Sequence, residues 1–200
     1  MWGCYRFLGI KYIEPTTIKI DKNGRIIILE TSLLEEKFVL INLYNSNEES
    51  GQLETFSKLL SLIDEIDDLS TKKIILGGDF NLIFDRNLEA YGGNPSLKKK
   101  SLTKLSEIIE KLNLCDIWRL RNPKTKRYTF RQNHYSGFIQ RRLDFFFISN
   151  SLQEQVSRTD VTNAFCTDHS PILFTLGEIH QSPRGRGLWK FNNSLISNEE

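Results

Sequence analysis

Lys73-Ile74-Ile75-Leu76-Gly77-Gly78-Asp79-Phe80-Asn81 is an apolar run that ends on an acid. The unbroken aliphatic stretch predicts a strand, Lys73–Gly77, covered on both faces. An acid beside such a strand needs a reason, because burying a charge without a partner is costly. The same pattern occurs twice more. Arg142-Leu143-Asp144 precedes the apolar run Phe145–Ile148, and Thr167-Asp168-His169-Ser170-Pro171 precedes Ile172–Leu176. Three acidic strand ends, with one histidine and one asparagine among them, predict convergence on a single cleft.

The flanking elements follow from periodicity. Lys19–Asn23 turns at Asn23-Gly24 into β-branched Arg25–Leu29, a predicted hairpin. Phe38–Tyr44 is a second doubly covered strand. Leu53, Phe56, Leu59, Leu60, Ile63 and Ile66 recur at helical spacing and predict an amphipathic helix over Gln52–Asp67. Gly92-Gly93-Asn94-Pro95 breaks the chain before a second helix with Leu102, Leu105, Ile108, Ile109 and Leu112 on its apolar face. Strands are predicted at Tyr128–Arg131, Leu143–Ile148, Val156–Phe165 and Ile172–Leu176. Helices falling between strands predict an α+β chain of two facing sheets with helices packed outside. Ser-Pro and Gly-Arg-Gly after Gly177 read as a linker, with Leu188-Trp189-Lys190-Phe191 as a short returning anchor.

Of 200 residues, 39% are hydrophobic and 26% charged, as in an ordinary globular chain able to bury one core. The net charge of +2 hides a segregation. Seven acids face the single Lys58 between Glu48 and Asp68, whereas Arg119–Arg142 holds eight basic residues and no acid. A one-sign block of this kind focuses positive potential where phosphates bind; a solvated loop is the alternative. Cys4, Cys115 and Cys166 are scattered without zinc spacing, which predicts reduced thiols in the nucleus or cytoplasm. No apolar stretch has the length of a membrane span, and no signal peptide is evident at the start.

The residue types point to phosphate-ester hydrolysis at a hard cation. Asp79 can take a proton from water while Asn81, two residues on, holds that water or a phosphate oxygen; a simple turn at Gly77-Gly78-Asp79 is the alternative. Pro171 is consistent with a bend that lets Asp168 and His169 serve one site. Asp144 can hold one ring nitrogen of His169 and favour the imidazolium. Tyr44, near Asn42 and Asn47 at a strand end, can donate to a phosphate or simply cap the core. Covalent catalysis has no visible nucleophile, and no P-loop or Gly-x-Gly-x-x-Gly calls for a small-molecule cofactor.

In this order the motifs resemble the endonuclease/exonuclease/phosphatase superfamily of exonuclease III and DNase I. Asn42-Leu43-Tyr44-Asn45-Ser46-Asn47 is similar to its Asn-x-Tyr-Ala-Pro-Asn motif, with Asn45 and Ser46 departing from it. Gly78-Asp79-Phe80-Asn81 matches Gly-Asp-Phe-Asn, Arg141-Arg142-Leu143-Asp144 resembles the basic-x-Asp strand, and Asp168-His169 the Ser-Asp-His motif with Thr167 in place of Ser. Tyr128-Thr129-Phe130 and Leu188–Asn193 make the endonucleases of non-LTR, long interspersed element-type retrotransposons the nearest likeness. The resemblance runs from about Thr17 to Asn193.

It implies a four-layer α/β/β/α sandwich over residues 1–177, with 178–200 leading toward a fused reverse transcriptase. It also implies a Mg²⁺-dependent endonuclease, with Mn²⁺ as a substitute, that nicks DNA for target-primed reverse transcription. Asp79 would activate water, Asn81 position it, Tyr44 contact the scissile phosphate, Asp144 orient His169, and His169 steady the developing charge. Asp168 would hold the metal. Asn47, Arg127, Thr129, Arg131, Arg141 and Arg142, with the loop Gln132–Gln140, would face DNA. The family's opening strand and its Gln-Glu metal motif have no counterpart here, and Glu30 lies one strand too early to supply it. The expectation is an N-terminally truncated copy with impaired Mg²⁺ binding. Two further readings stand beside it: a non-catalytic DNA-binding remnant, and a phosphatase of the same superfamily, which the basic block disfavours.

Overall fold

The computed structural model describes residues 15–33, 35–134, 137–163 and 167–177. Strands β1 (Pro15–Ile20) and β2 (Ile26–Leu33) form the expected hairpin. Asp21 sets its turn: Oδ1 accepts from the Ile26 N–H at 2.6 Å and Oδ2 from the Asn23 N–H at 3.0 Å. β2 pairs antiparallel with β3 (Glu36–Tyr44). Helix α1 (Glu49–Asp64) then crosses over to β4 (Lys73–Asp79), which lies parallel to β3. A parallel neighbour requires such a crossover.

Next come α2 (Arg86–Glu89), β5 (Ala90–Tyr91), α3 (Lys99–Lys111), β6 (Leu114–Asp116) and α4 (Ile117–Arg121). β7 (Phe130–His134), β8 (Gly137–Arg141), β9 (Asp144–Ser149), β10 (Val156–Val161) and β11 (Ile172–Leu176) complete the described chain. The main sheet has the order β1-β2-β3-β4-β9-β6, beside a β10-β11 pair and a small β5-β8-β7 sheet.

Period-two alternation sorts the central strands between two cores. Val39, Ile41, Leu43, Ile74 and Leu76 pack with Phe56, Leu59, Ile63, Leu105 and Ile108 beneath α1 and α3. Phe38, Leu40, Ile75 and Ile148 face the other way, against Val156, Phe174 and Leu176 of the β10-β11 pair. The layers seen among the described residues are therefore a helix pair, a six-stranded sheet and a two-stranded sheet. None of the helices among the described residues is long and apolar enough to cross a membrane.

Several boundaries move. The first helix starts at Glu49 and ends at Asp64; buried Ile66 belongs to the turn beyond it, where its N–H bonds the Ile63 carbonyl at 3.0 Å. Gln132–Gln140 is mostly not a loop: it zips into β7 and β8 from Phe130↔Arg141 to His134↔Gly137, and β5 pairs on the far side of β8. The strand expected over Val156–Phe165 ends at Val161, and Phe165 lies outside the described residues. Tyr135, Cys4, Cys166, the linker 178–200 and Leu188–Asn193 lie outside them too.

β4 runs two residues beyond Gly77 because Gly78 can stay paired at φ +148°. A Cβ there would stand 1.9 Å from the Leu43 carbonyl oxygen, which is backbone of the adjoining strand and cannot step aside. Gly78→Ala should therefore destabilise the fold by about 3 kcal/mol, the combined scale of overpacking and strained backbone. Urea unfolding measures this, and a loss comparable to an ordinary surface substitution would contradict it.

Candidate active site

Register assembles the site. Tyr44 at the end of β3 pairs with Asp79 at the end of β4, and Asp79 pairs with Asp144 at the start of β9. Residues opposite one another on neighbouring strands point to the same face, so one line across three strands carries a phenol and two carboxylates. Tyr44 is exposed, with the Arg25 guanidinium 5.7 Å from its ring centroid.

His169 reaches this line through Thr129. The Thr129 hydroxyl oxygen accepts from the N–H groups of Leu143 at 2.9 Å and Asp144 at 3.1 Å. Its carbonyl accepts from the Ser170 N–H at 2.6 Å, and the next residue, Phe130, bridges to His169. The segment with the histidine is thus laid against the start of β9. His169 Nδ1 stands 2.9 Å from Asp144 Oδ2, and its ring lies 5.2 Å from that of Phe130. Bonding at Nδ1 leaves Nε2 for a substrate.

The electrostatics follow from the crowding. The Asp144 hydrogen bond holds the His169 pKa above its ordinary value, more than burial lowers it. Burial and then the charge of Asp144 push Asp79 from 3.8 up to about 7. Ligand atoms of Asp79, Asp144 and His169 lie within 4.8 Å of one another. Asp168 is exposed beside them; its carbonyl accepts from the Arg131 N–H at 2.9 Å, and its carboxylate adds to the field that favours imidazolium.

Asn81 does not share a face with Asp79 by strand alternation. It adopts φ +50°, a left-handed conformation that asparagine tolerates better than most residues. From there its N–H donates to Asp79 Oδ1 at 2.9 Å, and its side-chain amide donates to the Asn45 carbonyl at 2.9 Å. Buried Asn45 donates its own N–H to the Asp79 carbonyl at 2.8 Å. Asn47 is exposed nearby, and its carbonyl accepts from Lys98 Nζ at 2.5 Å.

Two residues expected to face DNA do not. Thr129 is fully buried, its hydroxyl and carbonyl spent on β9 and Ser170. Arg142 is 1% exposed. It pairs with Glu89 at 2.6 Å and with Asp116, and its guanidinium lies 4.3 Å from the Phe145 ring centroid. Arg141 is half-buried against the carbonyls of Tyr91, Gly92 and Gln140. Arg127 holds the Val161 carbonyl and Arg131 the Ser170 hydroxyl. Much of the basic block is thus occupied in folding. Glu30 sits at the opposite end of the sheet, 2.5 Å from Lys72 Nζ, and takes no part in the site.

Sequence reasoning passed over Asn45, Gln52 and Lys98. Gln52 carried a signal: it is a polar residue one helical turn before Phe56 on the apolar face of α1, fully buried, and it donates to the Ser46 and Asn81 carbonyls at 2.8 and 2.9 Å. Lys98 carried none beyond its place in a lysine run.

Because the folded-state pKa of Asp79 lies above its unfolded value, the stability it contributes is present below about pH 4 and lost as pH rises through about 7. Asp79→Asn, assayed in chelator, should melt about 2–4 °C above wild type at pH 8, the effect of ~1 kcal/mol in a chain of this size. At pH 5, early in the window between the two pKa values, the gain should be clearly smaller, because most of the loss accumulates above that pH. An equal gain at both pH values in thermal melts would contradict the assigned environment.

Comparison with known proteins places this chain in a family. Residues 38–173 match the family described as endonuclease-reverse transcriptase. The Transposon TX1 uncharacterized 149 kDa protein of Xenopus laevis is 29% identical over 179 residues, which cover 88% of this chain and 13% of that protein. The chain thus spans a small part of the relative's length. The endonuclease domain of TRAS1, a telomere-specific non-LTR retrotransposon, superposes with a TM-score of 0.57 at 14% identity, covering 80% of this chain and 68% of that one. The 3′ phosphatase NExo from Neisseria, bound to a product DNA hairpin, superposes at 0.63 with 19% identity, covering 83% and 72%. At such identities the two structures speak to the fold alone.

Proposed function

This chain belongs to the endonuclease-reverse transcriptase family, within the endonuclease/exonuclease/phosphatase superfamily of nucleases and phosphodiesterases and with its DNase I-like fold, and on that premise we propose that its cleft hydrolyses a phosphodiester bond of DNA. The observation that carries the proposal is the convergence of Asp79, Asp144 and His169, from three separate segments, on one sheet end. In the parent element the cut would prime reverse transcription by a fused enzyme, a reading supported by the family description and by the transposon relative.

The geometry supports the following roles. Asp79, poised at about 7, takes the proton of the attacking water near neutral pH. Asn81 keeps that carboxylate oriented through its N–H, and its remaining amide hydrogen orients water or phosphate. The exposed Tyr44 hydroxyl donates to a phosphate oxygen. His169, kept cationic by Asp144, turns Nε2–H toward the phosphate as negative charge builds.

A divalent cation fits this donor set. Asp79 and Asp144 are close enough that one charge raises the proton affinity of the other, and Mg²⁺ takes hard oxygen donors of this kind. Asp168 would help hold it beside Asp79 and Asp144; bound there, Mg²⁺, or Mn²⁺ in its place, would neutralise phosphate charge. Among the described residues no glutamate joins the cluster, so affinity should be weak.

The purified chain should nick supercoiled plasmid slowly in Mg²⁺ or Mn²⁺ and not in EDTA. Asp79→Ala and His169→Ala should each lower the rate by about a hundredfold or more, the scale of lost acid–base or charge stabilisation. Nicking that ignores EDTA or survives Asp79→Ala would defeat the proposal. Salt-dependent DNA binding with no nicking would favour the DNA-binding reading instead.

A further inference from the structure

Two loops carry the site: the one after β3, from Asn45 to Glu48, and the one after β4, at Phe80 and Asn81. They belong to neighbouring parallel strands whose register ends at Tyr44↔Asp79, with one further backbone bond from the Asn45 N–H to the Asp79 carbonyl. The left-handed Asn81 leaves its carbonyl facing two donors, Gln52 Nε2 and Lys98 Nζ, both at 2.9 Å. Each donor also reaches the other loop, Gln52 at the Ser46 carbonyl and Lys98 at the Asn47 carbonyl, at 2.8 and 2.5 Å. Gln52 comes from α1, whereas Lys98 stands at the N-terminal edge of α3, so two helices on one side of the sheet stitch the loops.

We infer that Lys98 is a positioning residue of the active site: its ammonium ties the Asn47 and Asn81 carbonyls together and so holds Asn81 where its N–H meets Asp79. The inference rests on the reading of Asp79 as the water-activating base. Lys98 is half-buried rather than free at the surface, and an ammonium–carbonyl bond is stronger than a neutral one. Burial lowers its pKa while Glu48, Glu49 and Asp79 oppose that, consistent with an ammonium held beside the cluster.

Lys98→Met keeps the aliphatic stem and removes charge and donors; Lys98→Arg keeps both. In Lys98→Met, amide exchange at Asn81 and Asn45, followed by NMR, should quicken by about tenfold while the core strands keep their protection, as for local opening. Plasmid-nicking kcat should fall about 10–100-fold, the cost of a misplaced group, with KM for DNA nearly unchanged. Lys98→Arg should restore both. Unchanged exchange in Lys98→Met would overturn the clamp, and a loss confined to KM would make Lys98 a DNA contact instead. A wild-type chain that does not nick at all would count against the proposed function, and amide exchange would still decide the clamp.

Discussion

The pairing of β4 with β9 places Asp79 opposite Asp144, and the rest of the site depends on that register. Hydrophobic packing fixes it. Phe145 and Phe147 stack at 5.5 Å, with Phe80 set edge-on to both. Phe146 turns to the other face and lies over Gly77, where a Cβ would be 2.4 Å from its ring. A slip of one residue would turn each of these rings to the wrong side of the sheet. The aromatic core therefore enforces a juxtaposition of two carboxylates that electrostatics alone disfavours. Burial raises the proton affinity of Asp79, and this juxtaposition raises it further.

The start of β9 needs a second restraint, because there the strand leaves the core. Buried Arg142 supplies it, with Glu89 and Asp116 on its guanidinium and Glu89 also accepting from the Phe84 N–H at 2.7 Å. Removing one partner of such a buried pair typically costs about 3–5 kcal/mol. Thr129 fastens the same point from the side that carries His169. Asp144 thus sits between two anchors, one ionic and one hydrogen-bonded, and presents its carboxylate to the imidazole in one geometry.

Much of this was legible in the sequence, and the failures have physical causes. Phe38–Tyr44 and Lys73–Gly77 read as doubly covered strands because their side chains split between two cores. The acids stood out because each interrupts or flanks an apolar run. β5 left no trace, since two residues have no periodicity. Charge run together in sequence is not charge displayed together in space, and much of the basic block folds onto other partners. Arg142 meets Glu89, 53 positions away, and Arg127 and Arg141 meet backbone carbonyls, which no composition reveals. The left-handed Asn81 was equally hidden, because asparagine after a strand reads as an ordinary turn residue.

At the centre of the site the Asp144 carboxylate sets the charge of His169. An NMR pH titration of the His169 ring, in the intact chain and in Asp144→Asn without divalent metal, addresses this directly. The ring should titrate above the ordinary histidine value in the intact chain and clearly lower in Asp144→Asn, because the hydrogen bond to Asp144 is the largest cause of the rise. The same titration in both proteins would mean that histidine and carboxylate are not coupled, and the active-site assignment would fall with it.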